Sequence, residues 1–145
     1  GPVYSVVVAH RGELSAIEEI ELDPASETSG NLLGCLLAEF NLAPRLSRTS
    51  TSVITAHRAR LFIGDQAIHL RQKYATEFNF WDLGEQWNKL VGLPFVYALW
   101  LIRPGVRDPK SIAERLRNLR DENLADIDEL VGEEKEFDHG FFFCF

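Results

Sequence analysis

The stretch Leu22-Asp23-Pro24-Ala25-Ser26-Glu27-Thr28-Ser29-Gly30 constrains the fold of this chain more than any other. A strand-like run, residues 17–22, leads into this turn of small hydroxylated residues. Beyond it, Leu32, Leu33, Leu36, Leu37 and Phe40 recur at a spacing that paints one broad apolar face on a helix. Ser26, Thr28 or Ser29 can each cap such a helix, because a hydroxyl oxygen accepts from an orphan backbone N–H. Other N–H groups of the first turn stay free, and the helix dipole adds positive potential that suits a carboxylate or phosphate. A capped helix that binds nothing is the commoner use of this pattern. Gly30 and Gly34, four residues apart, predict that the helix lies close to the sheet.

The rest of the chain repeats the alternation of strand and helix. Residues 3–10 are apolar on both faces, as in a strand covered on both sides, with Ser5 the small polar residue in the run. Leu42-Ala43-Pro44 ends the first helix. Residues 45–60 hold Arg45, Arg48, Arg58 and Arg60 and no acid. A solvated basic face is the plain reading of that stretch, and a field that attracts an anion is the sharper one. Leu61-Phe62-Ile63 reads as a short strand ending at Gly64-Asp65, before a helix over residues 66–74. Asp65 stands where open α/β sheets place ligands, although a plain N-cap is the commoner use of such a residue. Residues 78–81 predict another strand, and Asp82 caps a helix over 83–91 that Gly92 terminates. Residues 95–102 read as a long apolar strand. Asp108-Pro109 then starts one broken or two consecutive amphipathic helices, strongly acidic from residue 121 to 138.

Strands alternating with helices imply an α/β domain with a mainly parallel sheet. The expected division is an α/β lobe over residues 1–103 and a helical segment over 104–145. With 145 residues, 46% hydrophobic and 26% charged, the sequence reads as a soluble globular domain. A net charge of -7 without a Lys/Arg-rich face argues against nucleic acid as a partner. No apolar run approaches a membrane span. Cys35 and Cys144 make no disulfide framework or metal spacing, and Cys35 is expected as a small hydrophobe within the first helix. The chain opens directly on Gly1-Pro2 and stops inside the apolar run 141–145, so a piece of a longer protein is expected.

No Gly-x-Ser-x-Gly elbow, Walker loop or Gly-x-Gly-x-x-Gly is present. None of His10, His57, His69 and His139 has a partner at metal-ligand spacing. The remaining candidates are Ser5, Ser26, Thr28, Ser29 and Asp65 at strand and helix ends, a set suited to a small anion rather than to a particular reaction.

Three motifs, taken together, resemble a known family. Asp23-Pro24-Ala25-Ser26-Glu27-Thr28-Ser29 resembles the Ser/Thr-rich turn of the menaquinone-biosynthesis enzymes of the futalosine pathway. Phe62-Ile63-Gly64-Asp65-Gln66-Ala67 is similar to their Ile-Gly-Asp-x-Ala motif. Most specific is Asp82-Leu83-Gly84-Glu85-Gln86-Trp87, continuing to Gly92-Leu93-Pro94-Phe95-Val96-Tyr97-Ala98-Leu99-Trp100, which resembles the chorismate dehydratase family. The opening Gly1-Pro2-Val3-Tyr4-Ser5-Val6 looks like that family's Gly-Pro-Val-x-Ser segment.

The resemblance implies a periplasmic-binding-protein-like (type II) fold of two α/β lobes with the substrate between them. It implies a cofactor-free carbon-oxygen lyase that removes water from chorismate to give an enolpyruvyl-oxy-benzoate. It further implies a small anionic dicarboxylate as ligand, no nucleic-acid or membrane partner, and a cytoplasmic location. Under it, the start of the first helix, at Ser26, Thr28 and Ser29, holds a substrate carboxylate. Ser5 adds a hydroxyl contact, and Asp65 orients a substrate hydroxyl or holds its turn. The catalytic group is expected in an amino-terminal lobe outside this chain, so the fragment alone should lack turnover. Glu27 departs from the family, which usually carries Arg there, and sets an anion beside a dianionic substrate. The competing readings are a solute-binding module of the same fold, which an export signal would mark, and the sister dihydroxynaphthoate synthase, which the Gly-Leu-Pro-Phe-Val motif disfavours.

Overall fold

Val6–His10 forms the first strand (β1), and all five of its residues are buried, as its doubly apolar pattern predicts. The computed structural model describes residues 2–48, 53–133 and 135. Gly1, residues 49–52, the end of the acidic stretch, His139, Cys144 and the apolar run 141–145 lie outside the described residues. The chain divides into two compact units, Gly1–Tyr97 and Ala98–Phe145.

In the first unit, Glu19–Glu21 (β2), Arg45–Ser47 (β3), Arg58–Ile63 (β4) and Asn79–Asp82 (β5) join β1 in one sheet of order β3-β2-β4-β1-β5. β2 pairs parallel with β3 and β4, whereas β1 pairs antiparallel with β4 and β5. The sheet is therefore mixed, not mainly parallel as expected. β1 is the cause, because it lies between β4 and β5 and runs against both. Alternation in sequence reports how strands are connected, not which strand slots between two others.

The helix Glu27–Glu39 (α1) begins at the hydroxyl-rich turn and buries Leu32, Leu33, Leu36 and Leu37. These join Val6 and Val8 of β1, Ile20 of β2, Ala59 and Leu61 of β4 and Leu83 in one core cluster. Burying each such leucine contributes about 1.5–3 kcal/mol. Val7 and Ala9 alternate to the other face of β1 and are fully buried there, so the sheet is covered on both sides. Phe40 is 44% exposed, yet its ring meets Trp81 edge to face at 5.6 Å. α1 ends before Pro44, with Asn41 turning the chain at φ 54°.

Two expectations for α1 are corrected. Cys35 is exposed rather than packed as a small hydrophobe. A Cβ at Gly34 would meet nothing within 4 Å, and one at Gly30 would make an ordinary 3.6 Å contact with Leu22. Gly34 and Cys35 lie off the leucine stripe, and neither glycine marks a close approach.

Gly64–Tyr74 (α2) follows β4, and Leu83–Val91 (α3) follows β5. α3 is capped by Asp82 and closed by Gly92 at φ 74°, as the sequence predicts. The run 95–102, expected as a strand, forms none. Leu99, Trp100 and Leu101 are 73%, 87% and 86% exposed, and these residues take part in none of the strand pairings of the sheet. In the second unit, Asp108 caps Pro109–Ala125 (α4) by accepting from the Ser111 amide at 3.2 Å. Ile127–Glu133 (α5) follows a break at Asp126, so the amphipathic pattern resolves into two helices. Among the described residues, no helix is long and apolar enough to cross a membrane.

Candidate functional site

The register gathers the predicted residues at one edge of the sheet. β1 pairs Val6 with Ile63 and Val7 with Asp82, while Glu21 at the end of β2 faces Arg60 of β4. The carboxyl ends of β2, β4 and β5 therefore share an edge with the start of β1. Ser5 stands just before β1, half-buried, and its carbonyl accepts from the Gly64 amide at 2.8 Å. Asp65 is the next residue, exposed in the first turn of α2. It is not the N-cap, which is Ile63 with no side-chain cap bond. The turn between β2 and α1 leaves from the same edge, where Asp23 accepts from the Ala25 amide at 2.8 Å.

Ser26 is the cap of α1. Its Oγ accepts from the Ser29 amide at 3.1 Å and donates to the Ser29 Oγ at 2.9 Å. The cap therefore occupies the Ser29 amide, and the Ser29 side chain is buried. Thr28 is exposed, and as the second residue of α1 its amide has no intrahelical acceptor. Thr28 is the open end of the turn, while Ser26 and Ser29 hold it shut.

Glu27 is held in a fork by Arg48, with bonds of 2.6 and 2.7 Å. The hydrogen bonds from Arg48, and then its charge, hold the Glu27 carboxyl below the usual carboxylate range and raise Arg48 in turn. The other arginines of residues 45–60 are also paired, which corrects the reading of a solvated basic face. Register does this: β2 sets Glu19 opposite both Arg45 and Arg58, and Glu21 opposite Arg60. Arg45, Arg58 and the Ser47 hydroxyl all donate to Glu19, and Arg60 lies 3.3 Å from Glu21. The Ser47 bond and then that from Arg58 lead in holding the Glu19 carboxyl low. The polar pocket around Glu19, His57 and Arg58 lies at the opposite edge, where β2 and β4 begin.

Sequence reasoning recognised Asp82 only as a cap. It is 1% exposed and accepts from the Val3 amide at 3.0 and 3.1 Å, Tyr4 at 2.8 Å and Glu85 at 3.0 Å. Arg71, which sequence reasoning missed, donates to the same carboxylate at 3.1 Å. The nearby Tyr97 hydroxyl is buried without a hydrogen-bond partner among the described residues. Burial first, and the Asp82 charge second, push that hydroxyl above the usual phenol range. The signal for Asp82 was its place in the most specific motif; Arg71 had none, being one of several charges on a polar helix. Among the described residues, no group of three or more His, Cys, Asp and Glu could hold a metal ion.

The fold defines an α/β protein whose strand ends and helix starts meet at one sheet edge. The chain belongs to the menaquinone-biosynthesis family, whose sequence model matches residues 1–140. It is 32% identical over 147 residues to a chorismate dehydratase of Thermus thermophilus, covering 90% of this chain and 54% of that protein. The chain thus spans about half the length of that curated relative. The resemblance carried by the sequence motifs is borne out.

Proposed function

We propose that the chain is part of a carbon-oxygen lyase that dehydrates chorismate in menaquinone biosynthesis. The observation that carries this reading is the likeness to a chorismate dehydratase along 90% of the chain. The proposed reaction is redox-neutral. A ring C–H gives up its proton, the neighbouring C–O bond breaks, and the hydroxyl leaves as water, so only the elements of water are lost. In this reading the exposed Thr28 end of α1 receives a substrate carboxylate through amide and hydroxyl donors. Ser5 supplies a further hydroxyl from the adjoining strand end. Asp65 orients a substrate hydroxyl or holds its turn, and no proton-abstracting group is assigned to these residues.

The same proposal makes residues 1–103 one lobe of a periplasmic-binding-protein-like fold, with the substrate between it and a second lobe. The inverted strand β1, inserted between two strands that share a direction, supports that reading over a simple doubly wound sheet. The exposed thiol of Cys35 suits a reducing compartment, and a cytoplasmic setting is part of the proposal. Incubating the full-length protein with chorismate, and following products by mass spectrometry and NMR, tests it. An enolpyruvyl-oxy-benzoate formed with loss of one water is the expected product. Chorismate recovered unchanged, or converted with loss of the enolpyruvyl group, contradicts the reading.

A further inference from the structure

The two motifs at Gly1-Pro2-Val3-Tyr4-Ser5 and Asp82-Leu83-Gly84 are 79 residues apart at their Val3–Asp82 bond, yet they form one device. The Ser5 amide donates to the Val3 carbonyl at 2.6 Å, closing a three-residue turn with Tyr4 at its centre. Tyr4 sits there at φ 59°. A γ-turn with positive central φ is rare and strained, and more so for an aromatic residue than for glycine. Such a conformation persists only where its surroundings over-determine it.

The surroundings do so from every side. The buried Asp82 carboxylate takes both the Val3 and the Tyr4 amide. Arg71 joins that carboxylate, donates to the Tyr4 carbonyl at 3.3 Å and lies over the Tyr4 ring at 4.4 Å. Gly84 completes the fit, since a Cβ there would collide with the Val3 side chain. The next residue, Ser5, is then pinned through its carbonyl to Gly64, beside Asp65. An N-cap alone would need only the Glu85 amide. The extra backbone bonds to Asp82 come from the two residues before Ser5, and the remaining one from Arg71, which also holds the Tyr4 carbonyl.

We propose that Asp82 and Arg71 are positioning residues, which hold the strained Tyr4 turn so that Ser5 meets the substrate in a fixed place at the sheet edge. This rests on the reading of Ser5 as a substrate contact. The device supplies preorganisation: the Ser5 main chain is fixed before the ligand arrives, so binding spends less on ordering it.

The test uses the full-length protein and two independent readouts. In the ligand-free protein, Arg71→Gln should move the Ser5 amide resonance and speed its hydrogen exchange. An unmoved Ser5 amide overturns the inference whether or not chorismate binds. Isothermal titration with chorismate follows, at a temperature where melting curves show every variant folded. Ser5→Ala and Arg71→Gln should each weaken binding by about tenfold. The double variant should bind no worse than the weaker single, because both changes act through one contact. Wild-type affinity in Ser5→Ala overturns the site reading itself. Weakened Ser5→Ala with unaffected Arg71→Gln, or effects that multiply, overturns the positioning role while the site reading stands. If Arg71→Gln does not fold, Arg71→Lys, which keeps a cation near Asp82 but loses the planar fork that joins Asp82, the Tyr4 carbonyl and the Tyr4 ring, takes its place, with the same outcomes expected.

Discussion

At the scale of single residues, glycines and charges have sharply different weights according to what stands beside them. Gly84→Ala places a methyl group against Val3 and near the Tyr97 hydroxyl, and should cost about 1–3 kcal/mol by overpacking. Gly34→Ala meets open space in a helix and should stabilise by about 0.5–1 kcal/mol. Melting curves of the two variants check this pair, and equal shifts would contradict it. Glu27 is the second case. Its carboxyl pKa is depressed in the folded protein by Arg48, so the ion pair is fully present above the ordinary carboxylate pKa. It is lost as pH falls through the depressed value. An NMR titration of the Glu27 side chain should find its midpoint below the ordinary value of 4.5, and Arg48→Gln should return the midpoint towards that value. Glu27 thus comes with its own cation, and the start of α1 presents a neutralised pair at this point.

At the scale of elements, the turn into α1 separates holding from binding. Ser26→Ala removes the cap on the Ser29 amide and should cost about 1 kcal/mol of stability. Thr28→Ala should leave stability nearly intact and, in the proposed function, weaken chorismate binding by roughly ten- to a hundredfold in the full-length protein. Titration beside a melting curve distinguishes them, and a Thr28→Ala variant that loses stability but not affinity would reverse their roles. This turn was legible in the sequence because everything that makes it is local: a leucine stripe, a hydroxyl cap and a strand running in. Asp82 and Gly92 around α3 were legible for the same reason. What escaped were facts of pairing across the sheet. The direction of β1, the meeting of Glu19 with Arg45 and Arg58, and the bonds from Val3 and Tyr4 to Asp82 all depend on register between distant segments. Residues 95–102 failed in the opposite sense, because apolar content alone does not make a strand, whose backbone groups must also pair with a neighbour.

At the scale of the whole molecule, family membership and local geometry meet at one sheet edge. The chain covers 54% of the length of its dehydratase relative, and the residues that the proposed function uses stand at this edge. Bonds from Val3, Tyr4, Glu85 and Arg71 to Asp82, and from Gly64 to Ser5, fix that edge before any ligand is present. A rigid rim of this kind predicts that binding perturbs few residues, and that those residues are known in advance. Backbone amide mapping of the full-length protein during titration with chorismate is the most direct measurement. The largest shifts within these residues should fall on Ser5, Thr28 and Asp65, with the Glu19 and Arg45 end of the sheet unmoved. Shifts concentrated at that opposite end, or a titration that moves none of the three, would contradict the account.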